Sequence, residues 1–373
     1  MKRSTWFWSV YVGVFMASGL WTHLGYVSHR TLDDSLLEDY RIYVRAFDEA
    51  REGRGPYRQQ PLGEEFVYPP PALPLLGSVV RLVPAGTWQA PTLISANLLL
   101  LGGSIALVAR YSGGIVERWW WFPVGFGFAP VLDTIHLGQV NIACAAGLAV
   151  FIVWLRRRPI AAGVGLAIPT ALKITPILVA VAALVDRRWR TLMALGATLF
   201  GLTALALIGW GPRILADYWE VATRLSSESV FGLASHSWVS LFSDPSEADR
   251  AQVLVRVISM AAVLASGLIG ARTRTPLSTT VVMILVAVLS QNLLWYHHYT
   301  LWLIPLLAFS AHRGVAWNAW IFGGLLVIQL DRIAFTHGSL IHVWGQITVA
   351  AVLIHQLTTA RSTTDQVERA PSA

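Results

Sequence analysis

Long apolar runs separated by short polar turns occupy most of this chain. Most of the runs reach or approach the roughly 20 residues that a membrane-spanning helix needs. The pattern therefore predicts an all-α, polytopic protein with at least nine spanning segments. They lie at 6–27, 88–109, 137–155, 191–210, 252–271, 277–294, 299–311, 315–330 and 339–357.

Composition supports this prediction and excludes several other classes of protein. Of 373 residues, 55% are hydrophobic and only 13% are charged, and the mean hydropathy is +0.55, which leaves too little ionic surface for a soluble protein of this size. A single cysteine, Cys144, rules out a disulfide framework and a thiolate metal site. The net charge of +7 lies in short clusters between apolar runs, so no nucleic-acid partner is expected.

The arginine clusters orient the chain, because cytoplasmic loops retain positive charge. We therefore place both termini in the cytoplasm and treat 1–360 as a single transmembrane domain, followed by a disordered cytoplasmic tail at 361–373. The two large outer loops are then 28–66 and 211–251. The clusters assigned to the inner face are Lys2-Arg3, Arg156-Arg157-Arg158, Arg187-Arg188-Trp189-Arg190, Arg272 with Arg274, and Arg361.

Two stretches must turn back within the membrane, since both of their ends are cytoplasmic. The first is 159–185, whose turn contains Lys173, and the second is 118–156, whose polar turn is 133–141. Around 71–83 the chain forms either a re-entrant loop or a pair of short helices. The predicted topology collects most polar chemistry on the outer face and leaves arginines on the inner face.

Lys173 is the most distinctive outer residue, because the chain has 26 arginines and only two lysines. A compact ammonium group suits phosphate, and a charge within an apolar hairpin indicates a functional site. The alternative is a lysine whose side chain extends to the membrane interface.

The loop 28–66 holds nine of the 21 acidic residues of the chain. Within it, Leu36 to Ala50 has the spacing of an amphipathic helix lying on the bilayer surface. A carboxylate at the start of that helix is suited to deprotonate an acceptor hydroxyl. Most of the other acids are expected only to solvate the loop.

Two further polar turns supply candidate ligands. The imidazoles of His297 and His298 can donate to a phosphate oxygen or steer an acceptor. The segment Gly138-Gln139-Val140-Asn141 either contacts sugar hydroxyls or caps the following helix. No spacing of ligands typical of a metal site is present, so neither a metal nor another cofactor is expected.

The order and spacing of several motifs resemble the membrane glycosyltransferases of the GT-C class that use polyprenyl phosphosugars, and within it glycosyltransferase family 87, which includes actinobacterial mannosyl- and arabinofuranosyltransferases. In chain order the motifs are Asp39 with Tyr43 and Ala46, Gly55-Pro56-Tyr57, Phe66-Val67-Tyr68-Pro69-Pro70, Gly138-Gln139-Val140-Asn141, Lys173-Ile174-Thr175-Pro176, and Trp295-Tyr296-His297-His298 with Pro305.

The resemblance implies an inverting, metal-independent transfer from a polyprenyl phosphosugar to a lipid or glycan acceptor, outside the plasma membrane of a bacterium. It assigns the role of catalytic base to Asp39, and donor-phosphate binding to Lys173 and His298, with His297 as the alternative. Mannose and arabinofuranose are the expected sugars. The residues expected to bind sugar or acceptor are Tyr43, Tyr68, Asp133, His136, Gln139, Asn141, His236 and Trp295.

Two other functions remain open from the sequence. A flippase for a lipid-linked sugar would also use hairpins interrupted at proline, although such transporters usually show internal repeats. A non-catalytic scaffold would leave Lys173 and the acidic loop without a purpose.

Overall fold

The computed structural model describes residues 2–28, 36–57, 64–227, 245–291, 294–311, 313–334 and 339–368. Within these ranges the chain is helical, as the sequence predicts, and each of the nine predicted apolar segments overlaps a helix. His236 and parts of both large outer loops lie outside the described residues.

Sixteen α-helices make up the described structure. They are α1 (Lys2–Ser28), α2 (Glu38–Arg51), α3 (Ala72–Leu82), α4 (Gln89–Tyr111), α5 (Trp121–Gly127), α6 (Ala129–Leu137), α7 (Asn141–Trp154), α8 (Pro159–Leu172), α9 (Ala180–Val185), α10 (Trp189–Trp210), α11 (Arg213–Ser227), α12 (Pro245–Thr273), α13 (Pro276–Leu289), α14 (Thr300–Ser310), α15 (Val315–Ala334) and α16 (Ser339–Glu368). Short 3-10 turns lie at Gly86–Trp88, Thr175–Val179 and Tyr296–Tyr299.

Four stretches are long and apolar enough to cross a bilayer: Gly86–Tyr111, Trp189–Trp210, Arg250–Thr273 and Leu340–Thr359. Much of their surface is exposed leucine, isoleucine and valine, which suits contact with lipid. By contrast α13 and α14 are only 14 and 11 residues long and almost wholly buried. The protein is therefore a membrane protein with a core of short helices inside a shell of longer ones.

Both predicted hairpins turn back where the sequence places their polar turns. Helix α8 ends at Leu172, and Lys173 adopts an extended backbone before the 3-10 turn that leads into α9. Helix α6 ends at Leu137 and is followed by Gly138, whose φ of 70° is the left-handed conformation that favours glycine. Helix α7 then begins at Asn141.

The predicted inner loops meet one another through arginines. Asp186 accepts hydrogen bonds from Arg156 at 3.1 and 3.0 Å and from Arg188 at 2.9 Å. Arg274 donates to the carbonyl of Val185 at 2.8 Å. Three loops that the arginine pattern assigns to one side therefore lie side by side.

The two large outer loops also meet. Arg224 of α11 forms an ion pair with the buried carboxylate of Glu65, and the rings of Tyr57 and Tyr218 lie 5.6 Å apart. These contacts join the loop 28–66 to the segment that follows α10.

The amphipathic helix expected on the bilayer surface instead packs on protein. The apolar face of α2 is buried through Tyr40, Ile42, Tyr43, Ala46 and Phe47, with the Phe47 ring against Gly77 of α3. The amphipathic pattern predicted a one-sided helix correctly, but periodicity alone cannot distinguish a lipid partner from a protein partner.

The region around residue 80 contains one short helix. At 11 residues and about 1.5 Å per residue, α3 is too short to cross the roughly 30 Å hydrocarbon core. The stretch Gly86–Tyr111, which contains α4, is long and apolar enough to cross.

The last helix extends further than expected. Helix α16 continues to Glu368, so 361–368 is helical where the sequence analysis predicts a disordered tail. No glycine or proline occurs between Gln346 and Ala370, and an existing helix extends readily by one hydrogen bond per residue.

Helices α7, α8 and α10 pack closely through glycines. A methyl group on Gly163 of α8 would collide with the Thr191 carbonyl oxygen and lie 2.7 Å from the Ala194 Cβ atom. Gly147 and Gly165 make a similar approach between α7 and α8. Small residues allow such close backbone approach in membrane helices.

We expect Gly163→Ala to destabilise the protein by about 1–3 kcal/mol, the usual cost of overpacking a close contact. Gly196→Ala, on α10, is the matched control, because nothing lies within 4 Å of the added methyl group. Thermal unfolding of both purified variants in one detergent measures the difference. Equal melting temperatures would show that the α8–α10 contact can relax.

Candidate active site

Four polar segments that are distant in sequence converge at one end of the helix core. They are the start of α2, the turn between α6 and α7, the end of α8, and the 3-10 turn before α14. Electrostatic contacts link Asp39 of α2 with both His297 and Lys173. The arginine pattern predicts all four segments on the same side of the membrane.

A chain of hydrogen bonds runs from α2 to the loop before α3. Gln139 Nε2 donates to Asp39 Oδ2 at 2.6 Å, and the Tyr68 hydroxyl donates to Gln139 Oε1 at 3.0 Å. The hydroxyls of Tyr43 and Tyr68 lie 2.6 Å apart. Because the proton of Tyr68 is engaged with Gln139, Tyr43 donates to Tyr68. Each member thus fixes the orientation of the next.

The backbone places Asp39 against this turn. Leu37, just before α2, has a φ of 61°, and its N–H donates to the His136 carbonyl oxygen at 2.7 Å. A side chain at Gly138 would collide with Tyr40 and approach Leu37 at 3.2 Å. The glycine turn and the first turn of α2 are therefore in direct contact.

Burial raises the pKa of Asp39 above its ordinary value. His297, the hydrogen bond from Gln139 and Lys173 each favour the carboxylate and so lower the pKa. The neighbouring Glu38 raises the pKa further. The carboxylate is thus desolvated but partly compensated, which is the environment of a reactive base.

The two adjacent histidines lie in the 3-10 turn and are both buried. His297 Nδ1 lies 3.6 Å from Asp133 Oδ2, and the two imidazole rings meet edge to face at 4.8 Å. The backbone carbonyl of His297 accepts a hydrogen bond from Asn141 Nδ2 at 3.0 Å. The turn is therefore held by helices α6 and α7.

A comparison with models of protein families identifies the family of this chain. The model of glycosyltransferase family 87 matches residues 66–296, which is more than half of the chain. The chain belongs to glycosyltransferase family 87. A comparison with curated proteins gave no significant match.

Membership of family 87 gives the chain glycosyltransferase activity and a membrane setting. The matched region contains the turns that carry Tyr68, Gln139 and Lys173, and it ends one residue before His297. Asp39 precedes the matched region, so its role depends on the geometry of this chain.

Some predicted site residues of this family-87 protein also make structural contacts. Asn141 is fully buried and holds the His297 backbone, so it neither caps α7 with its side chain nor lines an open surface. The His136 ring lies 5.4 Å from that of His23 on α1, while its carbonyl positions α2. Trp295 is half-buried, and its carbonyl accepts the His298 N–H at 2.9 Å.

The sequence analysis missed three contributors to the site. Thr134 and Thr300 join α6 to α14 through hydroxyls 3.0 Å apart, and Tyr57 donates to the Tyr68 carbonyl at 2.6 Å. Tyr57 stands in the Gly-Pro-Tyr motif that contributed to the family resemblance, so a signal for it was present. The threonines carry no such signal.

The described ranges contain no group of three or more His, Cys, Asp or Glu side chains that could hold a metal ion. The chemistry available in the described site is the half-buried carboxylate of Asp39, an ammonium group and imidazoles, together with neutral hydroxyls and amides.

We expect Asp39→Asn to raise the melting temperature at neutral pH. A raised pKa means that folding disfavours the ionised carboxyl, so the contribution of Asp39 to stability is lost as pH rises through the folded pKa. Asparagine cannot ionise but keeps an oxygen that can accept from Gln139. The gain should shrink as pH falls towards about 4, the ordinary carboxyl value.

Asp48→Asn provides the control on the same helix, because Asp48 is exposed and paired with Arg51 at 3.2 Å. Its melting temperature should not rise. A lower melting temperature for Asp39→Asn at pH 7 would mean that the ionised carboxylate stabilises the fold.

Proposed function

We propose that this protein transfers a sugar from a polyprenyl phosphosugar to a lipid or glycan acceptor, with inversion and without a metal ion. Mannose or arabinofuranose is the proposed sugar. The reaction takes place on the extracytoplasmic face of a bacterial plasma membrane, with both termini in the cytoplasm.

The observation that carries this proposal is the meeting of Asp39 with Lys173 and His297 at one end of the helix core. The carboxylate can remove the proton of an acceptor hydroxyl. The ammonium group and an imidazole can neutralise the phosphate that leaves the sugar. One site therefore holds groups suited to both ends of the displacement.

A reaction with one base and one leaving group proceeds by a single displacement, which inverts the anomeric carbon. The acceptor oxygen attacks the anomeric carbon from the face opposite the phosphate, the bond from that carbon to the phosphate oxygen breaks, and Asp39 takes the acceptor proton. A single base and a stabilised phosphate leaving group are enough for this direct displacement. No covalent glycosyl-enzyme is required.

The hydrogen-bond chain gives Gln139, Tyr68 and Tyr43 a role in holding the base. Gln139 occupies Oδ2 of Asp39, which leaves Oδ1 to receive the acceptor proton. We propose that Gln139 also contacts the sugar or acceptor through its half-buried amide. His236, on the second outer loop, remains a proposed acceptor contact.

Asp39→Asn should abolish sugar transfer while leaving the protein folded, because asparagine cannot accept the hydroxyl proton. We expect a loss of at least about 100-fold, the lower range for a general base. The assay is transfer from purified polyprenyl phosphosugars in reconstituted vesicles. Asp48→Asn, on the exposed face of the same helix, should retain wild-type activity.

Transfer by Asp39→Asn at the wild-type rate would disprove the assignment of the base. Movement of the donor headgroup across the vesicle membrane without any glycosylated product would instead support a flippase.

Sugar transfer should fall on the acid side as Asp39 gains its proton, and Gln139→Leu should move this limb to higher pH. The hydrogen bond from Gln139 lowers the pKa of Asp39, and a bond to a charged group contributes about 1.5 kcal/mol, or about one pH unit. The pH dependence of kcat/KM for the donor measures the shift.

Asn97→Leu is the control for replacing an amide by leucine, since among the described residues the Asn97 amide bonds within α4, to the Leu93 carbonyl. Its acid limb should match that of the wild type. An unmoved limb in Gln139→Leu would show that another group controls the acid side.

A further inference from the structure

Asp133 is a buried carboxylate for which the proposed mechanism has no direct use. It lies on α6, and only 3% of its side chain is exposed. Its Oδ2 atom lies 3.6 Å from His297 Nδ1, and only 7% of the His297 side chain is exposed. A carboxylate this deep in the protein requires compensation, and the adjacent imidazole can supply it.

The backbone of His297 is already fixed by neighbours of Asp133. Asn141 donates to its carbonyl at 3.0 Å and Thr134 at 3.4 Å. Thr134 follows Asp133 directly, so the same stretch of α6 contacts both the backbone and the ring of His297. The remaining freedom is rotation of the imidazole, whose Nδ1 faces the Asp133 carboxylate.

The two ring nitrogens of an imidazole lie on different edges, so a contact at one sets the direction of the other. With Nδ1 held at Asp133, Nε2 points away from that carboxylate. Nε2 is buried and has no hydrogen-bond partner among the described residues. His297 also makes the largest favourable electrostatic contribution to the Asp39 carboxylate, which places the ring beside the proposed base.

We propose that Asp133 is a positioning residue that holds His297 so that its Nε2–H donates to the phosphate of the polyprenyl phosphosugar. This inference depends on the proposed function, and it selects His297 over His298 as the imidazole that binds phosphate. Donation from both ring nitrogens uses the doubly protonated ring, with Asp133 and the phosphate as the two acceptors. Asp133 thus acts through His297 and does not contact sugar.

Farnesyl phosphate tests this role without requiring the sugar to be known. Its dissociation constant is measured on the purified full chain for wild type, Asp133→Asn, His297→Gln and the double variant. In metal sites, loss of a carboxylate that orients a histidine costs about 10- to 100-fold, and we expect each single variant to lose about tenfold here. The double variant should bind no more weakly than His297→Gln.

The conservative variant Asp133→Glu keeps a carboxylate and should lose less affinity than Asp133→Asn. Farnesol, which lacks the phosphate, should bind all variants equally, because a purely structural defect would affect both ligands. If Asp133→Asn unfolds, Asp133→Glu in the wild-type and His297→Gln backgrounds completes the same cycle.

If the affinity losses of Asp133→Asn and His297→Gln multiply in the double variant, the two residues act independently. That result would overturn the positioning role and leave the proposed function intact. Equal weakening of farnesol and farnesyl phosphate in Asp133→Asn would overturn it as well. Wild-type protein that binds farnesol as tightly as farnesyl phosphate would overturn both the positioning role and the polyprenyl-phosphate donor.

Discussion

The hydrogen bond between Gln139 and Asp39 is the contact on which the arrangement of the site depends. A desolvated carboxylate is unfavourable unless nearby groups compensate it, and here an amide supplies the closest compensation. The Tyr68 hydroxyl donates to the oxygen of this amide, which favours the orientation in which its nitrogen faces Asp39. Gly138 in turn allows the loop to approach α2. The site thus consists of side chains that orient one another although they lie 71 and 100 residues apart in sequence.

The rest of the fold keeps these segments on one side of the core. Glu65 and Arg224 join the two large outer loops. At the opposite end of the helix core, Asp186 accepts hydrogen bonds from Arg156 and Arg188. Ion pairs with a buried member are sensitive to geometry, because breaking them leaves an uncompensated charge. They therefore constrain register and orientation more than they add net stability.

Much of the fold follows from hydropathy and charge alone. The apolar runs predicted the helices, and the positions of Arg156 and Lys173 predicted the hairpins, because lipid imposes strong rules on span length and on loop charge. The packing of α2 on protein was not predictable, since an amphipathic face can meet lipid or protein. The pairing of Asp133 with His297, 164 positions later in the sequence, depends on how short helices cross, and no local pattern encodes it.

The contrast between the buried short helices and the longer exposed ones has a consequence for evolution. Residues of α10 and α12 that face lipid can exchange one aliphatic side chain for another at little cost, whereas the glycines and polar turns of the core cannot drift in this way. Divergence between distant members of the family should therefore concentrate in the outer shell. Ancestry will remain detectable mainly in a few short turns, even where overall identity has almost vanished.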